Sequence, residues 1–168
     1  MNQFACIGLF NPKSPQNVGT IMRAAGCYDV NSVFYTGRRY DKAREFTTDT
    51  KQVYQRIPLT GVNDLKDVIP FGAKPVAIEL VEGATPLPDY RHPLNAFYVF
   101  GPEDGSLSQE VVDWCEDVVY IPTIGSMNLA ATVNVLLYDR FVKLGVDMGE
   151  NDALIKKSRD NNNRTKVK

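Results

Sequence analysis

Histidine is almost missing from this chain, with His92 the only one in 168 residues. It precedes Pro93 and has no Cys or second His beside it, so it reads as a solvated loop residue rather than a general base or metal ligand. Cysteine is nearly as scarce. Cys6, Cys27 and Cys115 are odd in number, far apart and set among apolar neighbours. That fits small buried hydrophobes in a reducing compartment and argues against disulfides, a zinc site or a thiol nucleophile. No apolar run is long enough to span a bilayer, and Met1-Asn2-Gln3-Phe4 does not begin a basic-then-apolar leader. The expectation is a cytoplasmic protein with no membrane partner and no metal. There is also no G-x-G-x-x-G, the phosphate-cradling loop of Rossmann-type nucleotide sites.

Hydrophobic residues make up 43% and charged residues 23% of the chain, the balance of an ordinary soluble domain. At this length one domain buries a core without staples. Net charge is −1, yet its distribution is uneven. Residues 156–168, KKSRDNNNRTKVK, hold six Lys/Arg against one acid, leaving 13 basic and 19 acidic residues elsewhere. Residues 1–150 are therefore expected to form the domain and residues 151–168 a basic polar tail. Such a tail either tracks phosphates in a salt-sensitive way or serves as a solubilising end.

Short β-branched and aromatic runs alternate with helical stripes. Residues 4–10, FACIGLF, are continuously apolar, as in a parallel strand covered on both faces. Asn11-Pro12 ends the run, and Ser14-Pro15 supplies an N-cap and a first-turn proline for a helix whose buried stripe is Val18, Ile21, Met22 and Ala25. Arg23 lies off that stripe and points to solvent, a partner or a substrate. Residues 31–36 read as the next strand. Residues 38–56 interleave six Lys/Arg with Tyr40, Phe46 and Tyr54, which suits looped RNA or a solvated connector; Arg38, Arg39 and Arg44 are the RNA-contact candidates. A short helix over residues 62–69, with Leu65, Val68 and Ile69 inward, leads to a strand at 75–80, and residues 85–93 read as a loop.

Residues 97–100 form a further buried strand that Gly101-Pro102 terminates. Ser106 and Gln109 have capping-box spacing, with Val111, Val112, Trp114 and Cys115 as the buried side of the next helix. A strand at 118–121 ends at Pro122. The loop at 123–128 then enters a helix capped by Asn128 and buried through Leu129, Val133, Leu136 and Leu137. Five or six strands alternating with helices imply an α/β open sheet, whose ligands bind at the carboxyl ends of the strands.

FGPEDGSLS at residues 100–108 and IPTIGSMNLAATVNVLLYD at 121–139, together with Asn17-Val18-Gly19-Thr20-Ile21-Met22-Arg23 near the start, resemble three signature motifs. In this order they are those of the SpoU-type, or TrmH-type, 2′-O-ribose RNA methyltransferases of the SPOUT superfamily. The resemblance implies an α/β-knot: an open, mostly parallel sheet flanked by helices, with roughly residues 96–145 tied into a trefoil knot. Hydrophobic spacing alone reveals no knot, and general topology argues against one. It also implies a homodimer that shares its active sites across the interface.

The cofactor implied is S-adenosylmethionine, held bent by three loops. Glu79 and Leu80 belong to the first, Gly101 to the second, and Ile121, Ser126 and Met127 to the third. Small and apolar residues suit a dry slot for adenine edged by backbone donors and acceptors. The implied catalytic set is Arg23, Asn17, Glu103, Ser126 and Asn128. A guanidinium is a poor base, so Arg23 is read as binding the neighbouring phosphate and orienting the hydroxyl. Glu103 fixes Arg23 or a loop amide, or favours the N-terminus of the helix after it. Asp104 is taken as solvent-facing. The implied reaction is methylation of a ribose 2′-hydroxyl in RNA, tRNA first and ribosomal RNA second. A catalytically silent RNA- or nucleotide-binding dimer is the competing reading, and the ribose-type first motif disfavours base methylation.

Overall fold

A computed structural model describes residues 3–44, 56–147, 149–159 and 165–167. The apolar run at the start forms β1 (Phe4–Leu9), followed by α1 (Pro15–Cys27), β2 (Ser32–Tyr35) and α2 (Arg39–Arg44). After β3 (Leu59–Gly61) come β4 (Lys74–Ile78), β5 (Thr85–Pro86), β6 (Asn95–Phe100) and α3 (Gln109–Trp114). The remaining elements are β7 (Asp117–Tyr120), α4 (Leu129–Lys143) and α5 (Asn151–Ser158). The strands form one sheet in the order β3-β2-β1-β6-β4-β7-β5, with every pairing parallel.

Period-2 alternation explains why the central strands read as unbroken apolar runs. Ala5, Ile7 and Leu9 of β1 and Ala96, Tyr98 and Phe100 of β6 face the layer containing α1 and α4. Cys6, Phe97 and Val99 face the layer containing α3 and Leu65. With both faces covered, no polar side is left on these strands. Tyr98, Phe97 and Phe100 are among the largest fully buried side chains, each contributing roughly 1.5–3 kcal/mol by leaving water.

The helices begin where their local chemistry dictates. Ser14 accepts from the Asn17 N–H at 3.2 Å with Pro15 in the first turn. Asn128 caps α4 by accepting from the Ala130 and Ala131 N–H groups, and Leu129, Val133, Leu136 and Leu137 are buried. For α3 the expectation needs correction. Its N-cap is Ser108, which accepts from the Val111 N–H, so the helix starts later than the Ser106–Gln109 spacing suggested. The helix expected over 62–69 is only a 3-10 turn, Lys66–Val68, although Leu65 is fully buried beside it. The loop expected at 85–93 holds β5 and a second 3-10 turn, Leu87–Asp89. Two- and three-residue edge strands are too short for alternation to register. Part of the expected tail is helical, since α5 occupies Asn151–Ser158. Phe46 and Tyr54 of the basic, aromatic stretch lie outside the described residues.

At the amino ends of the strands lies a largely buried polar network that corrects the reading of His92. The residue is 8% exposed, not solvated. Its Nε2 lies 2.9 Å from the Asp139 carboxylate and its Nδ1 2.6 Å from the Tyr98 hydroxyl. A carboxylate only accepts, so Nε2 carries the hydrogen and Nδ1 accepts from Tyr98. Arg140, 7% exposed, donates to Tyr98 Oη and to the Phe4, Pro93 and Leu94 carbonyls. Lys143 bonds Asp139 and the Leu87 and Tyr90 carbonyls. Burial pushes the His92 pKa down, against the opposing Asp139 bond, and pushes Tyr98 up to about 12.

The cysteines divide. Burial raises Cys6 to about 11 and Cys115 to about 12, leaving both as protonated thiols at neutral pH. Cys27, expected to be buried, is exposed at the last position of α1. None of the described cysteines forms a disulfide. Among the described residues no group of three or more His, Cys, Asp or Glu is placed to hold a metal ion. No described helix is long and apolar enough to cross a membrane.

Candidate functional site

The carboxyl ends of β4, β6 and β7 open into a cleft of about 230 Å³. Three loops build it. Glu79 and Leu80 come from the loop after β4; Gly101, Pro102, Glu103 and Gly105 from that after β6; Ile121, Thr123, Ser126, Met127 and Asn128 from that after β7. The sheet order explains the convergence, because β6, β4 and β7 are neighbours though the chain visits them far apart.

Glu79 ties the first two loops together. Its Oε1 accepts from the Leu80 N–H at 2.9 Å and its Oε2 from the Leu107 N–H at 2.7 Å. A Cβ at Gly101 would sit 3.2 Å from the Leu107 nitrogen and 3.3 Å from Glu79 Oε2, so the absence of a side chain there permits the bridge.

Glu103 ties the second loop to the start of α1. Its carboxylate accepts from the Lys13 N–H at 2.9 Å, the Ser14 N–H at 3.0 Å and the Asn17 side-chain amide at 3.1 Å. Of the roles foreseen for it, fixing loop amides describes this geometry, and the helix it favours is α1 rather than the one that follows it. Burial raises its pKa, but the bonds from Asn17, Ser14 and Lys13 outweigh that and hold it below the usual carboxylate value. The Asn17 Oδ1 then accepts from Asn128 Nδ2 at 3.1 Å. Glu103, Asn17 and Asn128 thus form one chain of bonds, from the loop after β6, through α1, to the cap of α4.

Among the expected site residues, Glu79, Leu80, Gly101, Glu103, Ile121, Ser126, Met127 and Asn128 line the cleft, and Asn17 stands directly behind it. Arg23 is exposed on α1 and is not among the lining residues. Arg38 is exposed, and Arg44 lies over the Tyr40 ring and 3.5 Å from Asp41. Arg39 is engaged within the chain, donating to both Asp104 oxygens at 2.9 Å and to the Asn11 carbonyl. Asp104 faces solvent as expected and also takes this bridge: the Arg39 bonds come first in lowering its pKa, and Lys13 lies 3.6 Å away. This bridge depends on a tight turn in which Gly37 has φ +77 and a Cβ would collide with Asn11 Oδ1.

Sequence reasoning missed Tyr120 and Thr132, both of which line the cleft. Tyr120 ends β7, and its strand-end position was the available signal. Thr132 bonds the Asn128 carbonyl at 3.0 Å one turn into α4, where nothing local marks it.

The fold has close structural counterparts. AviRb, a SpoU methyltransferase of Streptomyces viridochromogenes, superposes with a TM-score of 0.70 at 18% identity over 86% of this chain, which spans 61% of AviRb's length. A structure described for the 2-OH methylation of C/U34 on tRNA gives 0.71 at 23% identity, covering 84% of this chain and 91% of that one. The TrmH/SpoU tRNA modifying enzyme of A. aeolicus gives 0.72 at 19% identity, over 84% of this chain and 75% of that one. At these identities the likeness establishes the fold alone. No curated protein sequence matches the chain. The model of the SpoU rRNA methylase family matches residues 5–138, a span containing all three loops and the Glu103–Asn17–Asn128 connection, and the chain therefore belongs to that family.

Proposed function

We propose that this protein transfers a methyl group from S-adenosylmethionine to a ribose 2′-hydroxyl of RNA, with tRNA as the favoured substrate and the cytoplasm as its place of action. The observation that carries the reading is the Glu103–Asn17–Asn128 chain, which joins the three motif segments beside one cleft. S-adenosylmethionine is the cofactor; AviRb has been determined in complex with AdoMet. The residues fit it. Gly101 lets the loops that Glu79 bridges pack closely at the cleft wall, and Leu80, Ile121 and Met127 give the cleft apolar walls. When bound, the cofactor supplies an electrophilic methyl group on a sulfonium sulfur, which keeps the electron pair of the broken C–S bond.

The chain's own residues then have separable tasks. Glu79 and Glu103 hold the loops, and Asn17 and Asn128 fix their separation, so the cleft is organised before the substrate arrives. Ser126, exposed at the rim, offers a hydroxyl to the reacting region. Arg23 binds the phosphate next to the target ribose and orients the 2′-hydroxyl, whose proton leaves to solvent. Arg38 and Arg44 hold more distant phosphates, and Arg39 joins them by releasing Asp104. A domain over residues 1–150 does this work, with the basic segment 151–168 adding salt-dependent affinity for RNA.

The reading includes a homodimer and the trefoil knot. Val135, Tyr138 and Val142 form an exposed apolar stripe on α4, being 41%, 60% and 57% accessible, at spacing that places them on one helix face. Tyr28 packs edge-on against Tyr138 and Phe141, extending that surface to α1, which also bears Arg23. Pairing through this surface would cover the stripe and bring Arg23 to the partner's cleft. The knot would account for three loops from residues 79–128 crowding one cleft.

Incubation with methyl-labelled S-adenosylmethionine and total tRNA, followed by nuclease digestion, tests the reaction. Label on the sugar is expected, and label on a base overturns the ribose reading. Arg23→Ala should abolish transfer while cofactor binding survives. Mixing it with a Gly101→Val chain, whose cleft is disrupted because the added side chain meets Leu107 and Glu79, should restore about a quarter of parental activity through heterodimers with one intact shared site; no restoration would mean that each chain acts alone. Ribosomal RNA is the second reading because the matched family is described as rRNA methylases, and a parallel reaction with ribosomal RNA decides between them.

A further inference from the structure

The cleft has an uneven charge. Among the described residues its only charged lining side chains are two carboxylates, Glu79 and Glu103, and the lining contains no Lys or Arg. The two differ in what they face. Glu103 is drawn away by three donors from the start of α1. Glu79 is half-buried and is held at the cleft wall by two backbone N–H groups, one on each flanking loop. Backbone donors fix where this carboxylate points without neutralising its charge, which is the arrangement expected of a preset electrostatic contact.

We propose that Glu79 is a specificity-determining residue that makes the cleft prefer the positively charged methyl donor to its neutral thioether product. This rests on the reading that places S-adenosylmethionine in the cleft. The methyl donor and the product left after transfer differ by one methyl group and by the charge on sulfur. Apolar walls distinguish one methyl group weakly, whereas a fixed negative charge acts on the sulfonium and not on the thioether. The same attraction weakens as soon as the methyl group leaves, which favours exchange of spent cofactor for fresh.

The test is equilibrium binding of S-adenosylmethionine and S-adenosylhomocysteine by calorimetry, with no RNA and no turnover. In Glu79→Gln, the ratio of the two affinities should fall roughly tenfold in favour of the product, the scale of one partly screened unit charge. Glu79→Asp, which keeps the charge, should bind both ligands more weakly but retain most of the ratio. If Glu79→Gln weakens both ligands equally, or neither, the carboxylate only ties the loops or meets a group common to both ligands, and the proposal fails. Should Glu79→Gln not fold, the parent protein decides: raising sodium chloride should narrow the ratio, and a ratio flat in salt overturns the idea. Failure of the underlying site placement looks different. In that case the parent protein itself would bind neither ligand, whatever the effect of changing Glu79.

Discussion

Two polar networks sit at opposite ends of one parallel sheet, and they differ in how completely they are satisfied. At the amino ends, His92, Tyr98, Asp139, Arg140 and Lys143 bond almost entirely to one another and to backbone carbonyls, and His92 and Arg140 are buried. At the carboxyl ends, Glu79, Glu103, Asn17 and Asn128 are partly or fully open to solvent and surround a cleft. A network bonded almost wholly within the protein fixes a structure. One that holds loops around open space leaves capacity for a ligand. The only histidine and a buried arginine, residues often suspected of catalysis, belong to the first kind.

Removing the most heavily bonded member of the amino-end network is the severest test of this contrast. Arg140→Ala strips donors from three backbone carbonyls and Tyr98, and should lower stability by about 3 kcal/mol in urea unfolding; a loss under about 1 kcal/mol would mean that the network does not hold the fold. Glu103→Gln, in the open network, should do the reverse. Methyl transfer should fall about 100-fold, the scale of removing one preorganising hydrogen-bonding group, while stability changes by only about 1 kcal/mol. Comparable losses in both properties would erase the distinction.

Asn128→Ala removes both the cap of α4 and the link to Asn17, with about 1 kcal/mol expected in thermal unfolding. The mildest test is pH. The His92 pKa is lowered in the folded protein from 6.5, so as pH falls below that value the unfolded chain takes up a proton that the folded chain resists, and stability declines. Glu103 is lowered from 4.5, so its contribution is intact above that value and is lost as pH falls through its folded pKa. A two-stage acid profile is expected, with His92→Gln removing the upper stage and Glu103→Gln the lower.

Local chemistry made much of this legible from letters alone. Continuous apolar runs gave the central strands because both faces of a parallel sheet are covered, and Ser14, Pro15 and Asn128 announced their helix starts because capping acts within a few residues. The glycine and proline after the strands marked the loops that form the cleft. Local spacing could not show that β4, which precedes β6 in the chain, lies between β6 and β7, or that Glu103 turns towards an α1 amide rather than the helix beside it. Nor could it show that His92, alone and next to a proline, is enclosed by residues from β6 and α4. These outcomes depend on which distant segments share a hydrogen-bonding edge, and the tertiary structure decided them, because burial and partner choice belong to the packed whole rather than to any stretch of chain.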